Sequence, residues 1–167
     1  GSALSFGLQT QPGVYTVIAT DPITNCTEDM IGSVTVTVNP LPQVFTVLGG
    51  GHYCAGSTAP AISLSGSEVG IQYILYLSGT PTPNILTGNG SALSFGPQAI
   101  PGIYTVKALN TVTLCEIMLP NSVSIVLDPL PTVYNVTGGG AYCQNGSGVM
   151  IGVQGSQAGV DYALYRD

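Results

Sequence analysis

The sequence predicts an all-β protein composed of tandem β-sandwich repeats of about 89 residues. Three observations support this prediction: a long internal repeat with constant spacing, short β-branched runs bounded by glycine and proline, and the lack of sustained helical periodicity. The composition is that of a folded chain, because 44% of the residues are hydrophobic and only 6% are charged, against about a quarter in ordinary proteins. Disordered chains combine low hydropathy with high net charge.

The internal repeat is the strongest feature of the sequence. Residues 1–7 recur without change as residues 90–96, at a shift of 89 positions. The same shift aligns the other shared motifs without a gap: 12–17 with 101–106, Cys26 with Cys115, 41–42 with 130–131, and 49–54 with 138–143. Of the 78 overlapping positions, 35 are identical. Because a unit of this length can be a domain in its own right, the repeat predicts an array of domains.

Two proline-rich segments, 39–42 and 128–131, provide the natural domain boundaries, since closely spaced prolines stiffen a linker and do not fit a central strand. They divide the chain into three predicted parts: 1–42, the C-terminal half of a repeat; 43–131, a complete repeat; and 132–167, the N-terminal half of the next repeat. Either the chain is a window cut from a longer polypeptide, or half-domains of neighbouring chains complete one another as in strand-complemented fibres.

Within the complete repeat, seven short runs have the composition and alternation of strands. These runs are 44–48, 61–65, 71–77, 85–87, 92–95, 103–109 and 122–127. Seven strands in about 90 residues are typical of an immunoglobulin-like sandwich. The α-helical content is expected to be close to nil.

The run 103–109 supports the immunoglobulin-like arrangement. Its alternation puts Tyr104, Val106 and Ala108 on one face. Tyr104, and Tyr15 one repeat earlier, are candidates for a tyrosine corner, a core aromatic whose hydroxyl bonds back to the chain just before its strand. Val106 stands where antibody domains have a cysteine, and the chain has no tryptophan, so a divergent sandwich is expected.

Several motifs together resemble a known family. They are Pro-Gly-Ile-Tyr-Thr-Val at 101–106, the later Cys115, Ser-Val-Thr-Val before Pro-Leu-Pro at 33–42, and Gly-Gly-Gly-His-Tyr-Cys at 49–54 leading to Gly-Ile-Gln-Tyr-Ile-Leu-Tyr at 70–76. The whole chain resembles the Ig-like repeats of very long Bacteroidota surface proteins, which include gliding-motility-type adhesins exported by the type IX secretion system. The resemblance implies an extracellular filament or adhesin, and it transfers no ligand.

The charge pattern argues against two classes of partner. Two cations, Lys107 and Arg166, face eight acidic residues, for a net charge of −6. No basic stripe exists that could release counterions from nucleic acid or attract anionic lipid. No apolar run reaches the length of a membrane span, so membrane insertion is not expected.

No catalytic motif or cofactor site is found, so we expect a protein that is not an enzyme. His52 is the one histidine, and its counterpart in the next repeat is Ala141. A serine or cysteine nucleophile would therefore lack a general base in each repeat, and no Gly-x-Ser-x-Gly elbow occurs. The glycine run 49–51 lacks the features of a phosphate loop and is expected to let the first strand bulge or cross between sheets.

Each repeat carries one cysteine after the triple glycine and one after the presumed sixth strand. Cys54 and Cys115 form the one pair within the complete repeat, and we favour a disulfide between them, leaving Cys26 and Cys143 to missing or neighbouring halves. Pairing between repeats and free thiols are the alternatives. Without Cys-x-x-Cys or clustered histidine, a metal site is not expected. Cysteines in a β-rich chain with so little lysine favour an extracellular or cell-surface location.

Two weaker candidates for binding remain. Tyr53, Tyr73 and Tyr76 could form a platform for sugar stacking, although Tyr73 and Tyr76 differ by three and point to opposite faces of a strand. The acidic residues are scattered and read as solvated surface, with Asp128 beside the linker as the one candidate for calcium at a domain junction.

These observations predict a structural and adhesive array of rigid sandwiches joined by short proline linkers. Its expected partners are neighbouring repeats or copies of the same chain, end to end, with a glycan or surface ligand as a further candidate. The alternative is a carbohydrate-binding or spacer module of a secreted multidomain enzyme. The total number of repeats and the ligand are left open by the sequence.

Overall fold

In the computed structural model, which describes residues 1–166, every regular element is a β-strand. The all-β prediction is therefore confirmed. No helix among the described residues is long and apolar enough to cross a membrane.

Residues 1–166 contain fifteen strands, which fall into three groups along the chain. The first group is β1 (Gly13–Tyr15), β2 (Ile18–Thr20), β3 (Thr27–Asp29) and β4 (Val34–Val36). The second group is β5 (Val47–Gly49), β6 (Gly51–Cys54), β7 (Ala61–Leu64), β8 (Ile71–Leu77), β9 (Thr80–Thr87), β10 (Leu93–Pro97), β11 (Gly102–Asn110), β12 (Glu116–Met118) and β13 (Val123–Asp128). The last group is β14 (Val136–Gly138) and β15 (Ile151–Val153).

The second group forms two sheets. One has the order β10-β7-β5, and the other has the order β6-β13-β11-β8-β9, with β12 also paired to β11. All neighbours are antiparallel except β6 and β13, which are parallel. This is the strand order of an immunoglobulin-like sandwich that carries one additional edge strand, β9.

The core lies between the two sheets and consists of eleven buried apolar residues. They are Val47, Ile62, Leu64, Ile71, Tyr73, Leu75, Tyr104, Val106, Ala108, Leu119 and Ile125. Alternate residues of β8 and β11 belong to this set, because successive side chains of a strand point to opposite faces. The predicted inner face of the 103–109 run, Tyr104, Val106 and Ala108, is therefore confirmed.

The first strand of the sandwich is divided between the sheets at Gly50. β5 pairs with β7 in the smaller sheet, while β6 pairs with β13 in the larger one. Gly50 has a φ of 75°, and a side-chain carbon there would lie 2.6 Å from the carbonyl oxygen of Ser124. Of the two outcomes predicted for the glycine run, a bulge or a crossing, the structure shows the crossing, and glycine is required for it.

Three strands differ from the prediction. β6 and β12 were not predicted, and β9 begins at Thr80, five residues before the predicted run. β9 contains Pro81 and Pro83, which argue against a central strand. They are tolerated because β9 is an edge strand, where the missing N–H groups remove no ladder bond on the outer side.

The flanking strands repeat part of this pairing. The pair β1–β4 has the register of β11–β13 shifted by 89 residues, β2–β3 has that of β11–β12, and β14–β15 has that of β5–β7. The shift seen in the sequence therefore reappears in the strand register.

Candidate functional site

The two ends of the sandwich are the candidate functional site, because the chain enters at one end and leaves at the other. The segment from Val47 to Cys54 runs alongside 121–128 in the same direction: Asn121 contacts Val47, and Cys54 is the Cα partner of Asp128. The extended chain from Val47 to Cys54 places these two contacts about 20 Å apart. We call the end near Val47 the leading end and the end near Asp128 the trailing end.

At the trailing end, β6 and β13 hold Cys54 beside the second linker. The Ala55 amide donates to the Asp128 carbonyl oxygen at 3.1 Å. His52 Nδ1 lies 3.1 Å from Asp128 Oδ2 on an exposed surface. The Tyr53 hydroxyl donates to the Ala99 carbonyl, which attaches the start of β11 to this end.

At the leading end, the β11–β12 hairpin holds Cys115 beside the first linker. The Asn110 amide donates to the Cys115 carbonyl at 2.9 Å, which closes the hairpin. The Cys115 sulfur lies 3.9 Å from the carbonyl oxygen of Asn39, the residue that precedes the first Pro-Leu-Pro segment. This contact joins residues 1–42 to the complete sandwich.

The predicted disulfide between Cys54 and Cys115 is wrong for this structure, in which all four cysteines are free. Tyr53 bonds to Ala99, which precedes β11, whereas Cys115 follows the far end of that strand. A nine-residue strand spans about 30 Å, while bridged cysteines have their Cα atoms within about 7 Å. Cys54 and Cys115 therefore lie at opposite ends of the sandwich. Cys26 and Cys143 are exposed.

Tyr104 forms a tyrosine-corner hydrogen bond. Its ring is buried, and its hydroxyl donates to the Ile100 carbonyl at 2.7 Å, four residues earlier. Burial raises the pKa of Tyr104 above its usual range, so the hydroxyl stays a donor. Tyr15 makes the same bond, to the Gln11 carbonyl at 2.9 Å.

The three tyrosines considered for sugar stacking lie in different environments. Tyr73 is buried, accepts a hydrogen bond from the Glu68 amide at 2.9 Å, and has its pKa raised by burial. Tyr76 lies on the outer face, with the Lys107 ammonium 5.5 Å from its ring centre. The pKa of Lys107 is raised, mainly by a hydrogen bond with Tyr76 and to a smaller extent by one with Glu116. These rings do not form one platform.

Among the described residues, the trailing end also lacks the ligands of a cation site. Among residues 1–166, no group of three or more His, Cys, Asp or Glu side chains is arranged to hold a metal ion. Asp128, the candidate for junctional calcium, has His52 as its side-chain partner instead of further carboxylates. Calcium usually takes six to eight oxygen ligands.

Asn121 is a structural residue that the sequence did not reveal. Its Oδ1 accepts from the Val47 amide at 3.0 Å, and its Nδ2 donates to the Val47 carbonyl at 2.7 Å. This side chain therefore joins the first strand of one sheet to the segment before β13 in the other. The counterpart of Asn121 in the preceding repeat is Gly32, so the repeat pattern contained no signal for it.

Comparison with known proteins adds no relative. No protein family profile matches the chain. No curated protein matches it either.

Proposed function

We propose that this chain is a structural and adhesive segment of an extracellular cell-surface filament, and that it performs no catalysis. The observation that carries the proposal is the placement of the two proline linkers at opposite ends of one sandwich. Domains joined in this way follow one another in a line, because the chain crosses the length of each sandwich before the next linker begins.

The linkers themselves support an extended arrangement. Each has two prolines around a leucine and leaves little freedom between neighbouring units. The contact of the Cys115 sulfur with Asn39 brings the first linker against the sandwich surface. Such a junction suits a filament better than a flexible tether does.

The contacts of His52 support a role without catalysis. Covalent catalysis requires a nucleophile within reach of a base, with a third group that orients the base. His52 lies on an exposed strand with the Asp128 carboxylate as its side-chain partner, and it has no counterpart in the neighbouring repeat. A histidine of this kind suits a surface hydrogen bond to a carboxylate.

The alternative, a carbohydrate-binding module of a secreted enzyme, would need several exposed aromatic rings on one face. Tyr73 is in the core, the Tyr53 hydroxyl is bonded to Ala99, and Lys107 lies over Tyr76. The structural role is therefore the better supported proposal, and any adhesive ligand would be bound elsewhere on the filament surface.

The proposal is tested by small-angle X-ray scattering on a polypeptide with several consecutive copies of 43–131. We expect a rod whose length increases by about 40 Å for each added repeat, from the usual dimensions of sandwich strands. The matched control replaces Pro-Leu-Pro with Gly-Ser-Gly at each junction and should give a shorter mean end-to-end distance. A compact particle for the proline-linked polypeptide would overturn the proposal. A glycan array on the same polypeptide addresses the alternative, since a purely structural unit should bind none of the glycans.

A further inference from the structure

Each end of the complete sandwich has one cysteine next to a proline linker. Cys54 ends β6 at the trailing end and is the Cα partner of Asp128, the residue before the second Pro-Leu-Pro segment. Cys115 lies at the leading end, where its sulfur is 3.9 Å from the carbonyl oxygen of Asn39, the residue before the first Pro-Leu-Pro segment. Both thiols are free. One repeat therefore brings a free cysteine to the linker that precedes it and another to the linker that follows it.

Asn39 and Asp128 occupy the same place in the repeat. They are 89 residues apart, and Pro-Leu-Pro follows each of them. The surroundings of Asn39 at the leading end and of Asp128 at the trailing end are thus the two sides of one kind of junction. Where one complete repeat follows another, this junction residue has Cys54 of the preceding repeat on one side and Cys115 of the following repeat on the other.

The contacts on the two sides use the same atom of the junction residue. At the trailing end, the Ala55 amide donates to the Asp128 carbonyl oxygen at 3.1 Å, immediately after Cys54. At the leading end, the Cys115 thiol approaches the equivalent carbonyl oxygen, that of Asn39. A carbonyl oxygen has two lone pairs and can accept from both neighbours. Because bridged cysteines can have their Cα atoms up to about 7 Å apart, two cysteines that meet at one oxygen are within reach of each other.

Local hydrogen bonds hold Cys115 in this position. The Asn110 amide donates to the Cys115 carbonyl oxygen at 2.9 Å, and the Leu114 amide donates to the Asn110 carbonyl oxygen at 2.8 Å. Leu114 has a φ of 59°, a left-handed conformation that is unfavourable for leucine and persists where the surrounding structure imposes it. Asn25, the residue before Cys26 one repeat earlier, has a φ of 58°. The turn that directs this cysteine is therefore a feature of the repeat.

Cys54 is held in a comparable way. Its carbonyl oxygen accepts from the Ser57 amide at 3.0 Å and from the Ser57 hydroxyl at 2.7 Å. The parallel pairing of β6 with β13 fixes its position beside Asp128, and Cys54 is exposed. Ordered backbone thus presents both cysteines to the linker, and Cys54 does not have to leave the core to react.

The two cysteine positions recur in the neighbouring parts of the chain. Cys26 and Cys143 are the counterparts of Cys115 and Cys54 at the shift of 89 residues. His52, the other side chain of β6 that contacts the residue before the linker, has an alanine as its counterpart. Of these side chains, the thiols are the ones that the repeat retains at its junctions.

We propose that, in consecutive repeats, Cys54 of one repeat and Cys115 of the next form a disulfide across the proline linker. The inference rests on the proposed function and deepens it, because it supplies a covalent link between neighbouring sandwiches of the filament. The oxidant is a small-molecule disulfide such as oxidised glutathione. The two thiols lose two electrons and two protons and form one S–S bond, while the S–S bond of glutathione breaks and gives two molecules of reduced glutathione.

The same geometry explains why the link joins two repeats. Within one sandwich, Cys54 and Cys115 lie at opposite ends and cannot meet. Across a linker, the trailing end of one sandwich faces the leading end of the next. Neighbouring sandwiches would then be joined twice, by the chain and by the disulfide, which restricts bending and rotation at the linker.

The test uses a polypeptide with two consecutive copies of 43–131. This unit contains all eleven core residues and the nine strands that enclose them, so each copy keeps its complete sandwich. The first variant carries Cys115→Ser in the first copy and Cys54→Ser in the second, which leaves the junction pair. Under oxidised glutathione, thiol labelling and intact mass should show that both remaining cysteines are linked within one molecule.

Two matched controls have the same number of cysteines in other places. Cys54→Ser in the first copy with Cys115→Ser in the second leaves the two outer cysteines, which lie at the far ends of the pair of sandwiches. Cys54→Ser and Cys115→Ser in the second copy leave the two cysteines of one repeat. Neither control should form a link within the molecule. In small-angle X-ray scattering, the oxidised junction variant should be a stiffer rod than the same variant under dithiothreitol.

Unlinked cysteines in the oxidised junction variant would overturn the inference. A link in either control that is as complete as in the junction variant would do the same, because pairing would then not depend on the junction. The scattering test of the proposed function depends on the linkers and not on the thiols. A rod whose junction cysteines stay unlinked would therefore leave the proposed function standing and remove only this inference.

Discussion

The complete sandwich and its two flanks contain the same pattern of residues but differ in burial and in strand content. The segment 71–77 is a seven-residue strand at the centre of a sheet, whereas its counterpart 160–166 forms no strand, although Tyr, Leu and Tyr recur at the same places. The difference is the presence of β11 as a neighbour. Strand formation at this position therefore depends on non-local pairing more than on local propensity.

The comparison also separates two kinds of pairing. Hairpins within one half, such as β11–β12, are preserved in the flanks with the same register. Pairs that join the two halves depend on the opposite half being present. Substitutions at equivalent positions of the sandwich and the flanks should therefore have very different effects on stability.

The largest difference is expected for Leu75 and Leu164. Leu75→Ala removes a fully buried side chain from the core and should lower the free energy of unfolding by about 2–5 kcal/mol. Leu164→Ala should change it by less than about 0.5 kcal/mol, because the side chain is exposed. Urea unfolding followed by tyrosine fluorescence measures both. Equal effects would mean that Leu164 is packed as tightly as Leu75.

A smaller difference is expected at the crossing glycines. Gly50→Ala adds a carbon 2.6 Å from the Ser124 carbonyl at a φ of 75°, so a loss of about 2 kcal/mol or more is expected. The counterpart Gly139 has a φ of 79° but no atom within 4 Å of the added carbon. Gly139→Ala should cost only the local backbone strain, about 1 kcal/mol. Thermal unfolding of the two variants measures the difference. Equal decreases in melting temperature would contradict this explanation.

The tyrosine corners give the next contrast. Tyr104→Phe removes the hydroxyl bond to Ile100 from a buried ring and should lower the free energy of unfolding by about 1 kcal/mol. Tyr15→Phe removes the same bond from a flank, where water can replace the hydroxyl, and should have almost no effect. Denaturant titrations of the two variants measure this contrast, and equal losses of stability would contradict it.

Much of the sandwich could be predicted because its signals are local. The alternation of Tyr104, Val106 and Ala108 predicts the inner face of β11, and the glycine run predicts a bulge or a crossing, of which the crossing is found at Gly50. β9 was predicted too short, because Pro81 and Pro83 suggest a break unless the strand is known to lie at an edge. Edge position is a property of the sheet and has no signal in the strand itself.

The candidate site was harder to predict for the same reason. Cys54 and Cys115 share a repeat in the sequence, but which end of the sandwich each one occupies depends on strand direction. Cys115 instead contacts Asn39, which belongs to the preceding unit. The hydrogen bonds between Asn121 and Val47 could not be predicted, because the counterpart of Asn121 in the preceding repeat is a glycine. Junction contacts are specified by the fold, and spacing within one repeat does not reveal them.

The smallest expected effect concerns the turn after β2 and its counterpart after β11. Asp21 Oδ1 accepts from the Ile23 amide at 2.8 Å, and Asn110 Oδ1 accepts from the Val112 amide at 3.0 Å. The amides of Ile23 and then Thr24 lower the pKa of Asp21. Because the folded pKa lies below the unfolded value of about 3.9, the carboxylate stabilises its turn above that value. That contribution is lost as the pH falls through the lower, folded pKa.

The uncharged Asn110 turn should not change over this range, so each turn serves as the control for the other. In amide NMR spectra of the 167-residue chain, the Ile23 resonance should shift at a pH below the usual midpoint of an aspartate, while the Val112 resonance stays in place. Asp21→Asn should abolish the shift and leave the turn intact, because the amide oxygen can accept the same bonds. A midpoint at or above the ordinary aspartate value would show that the backbone amides of this exposed turn do not favour the ionised form, and that the two turns differ by more than one charge.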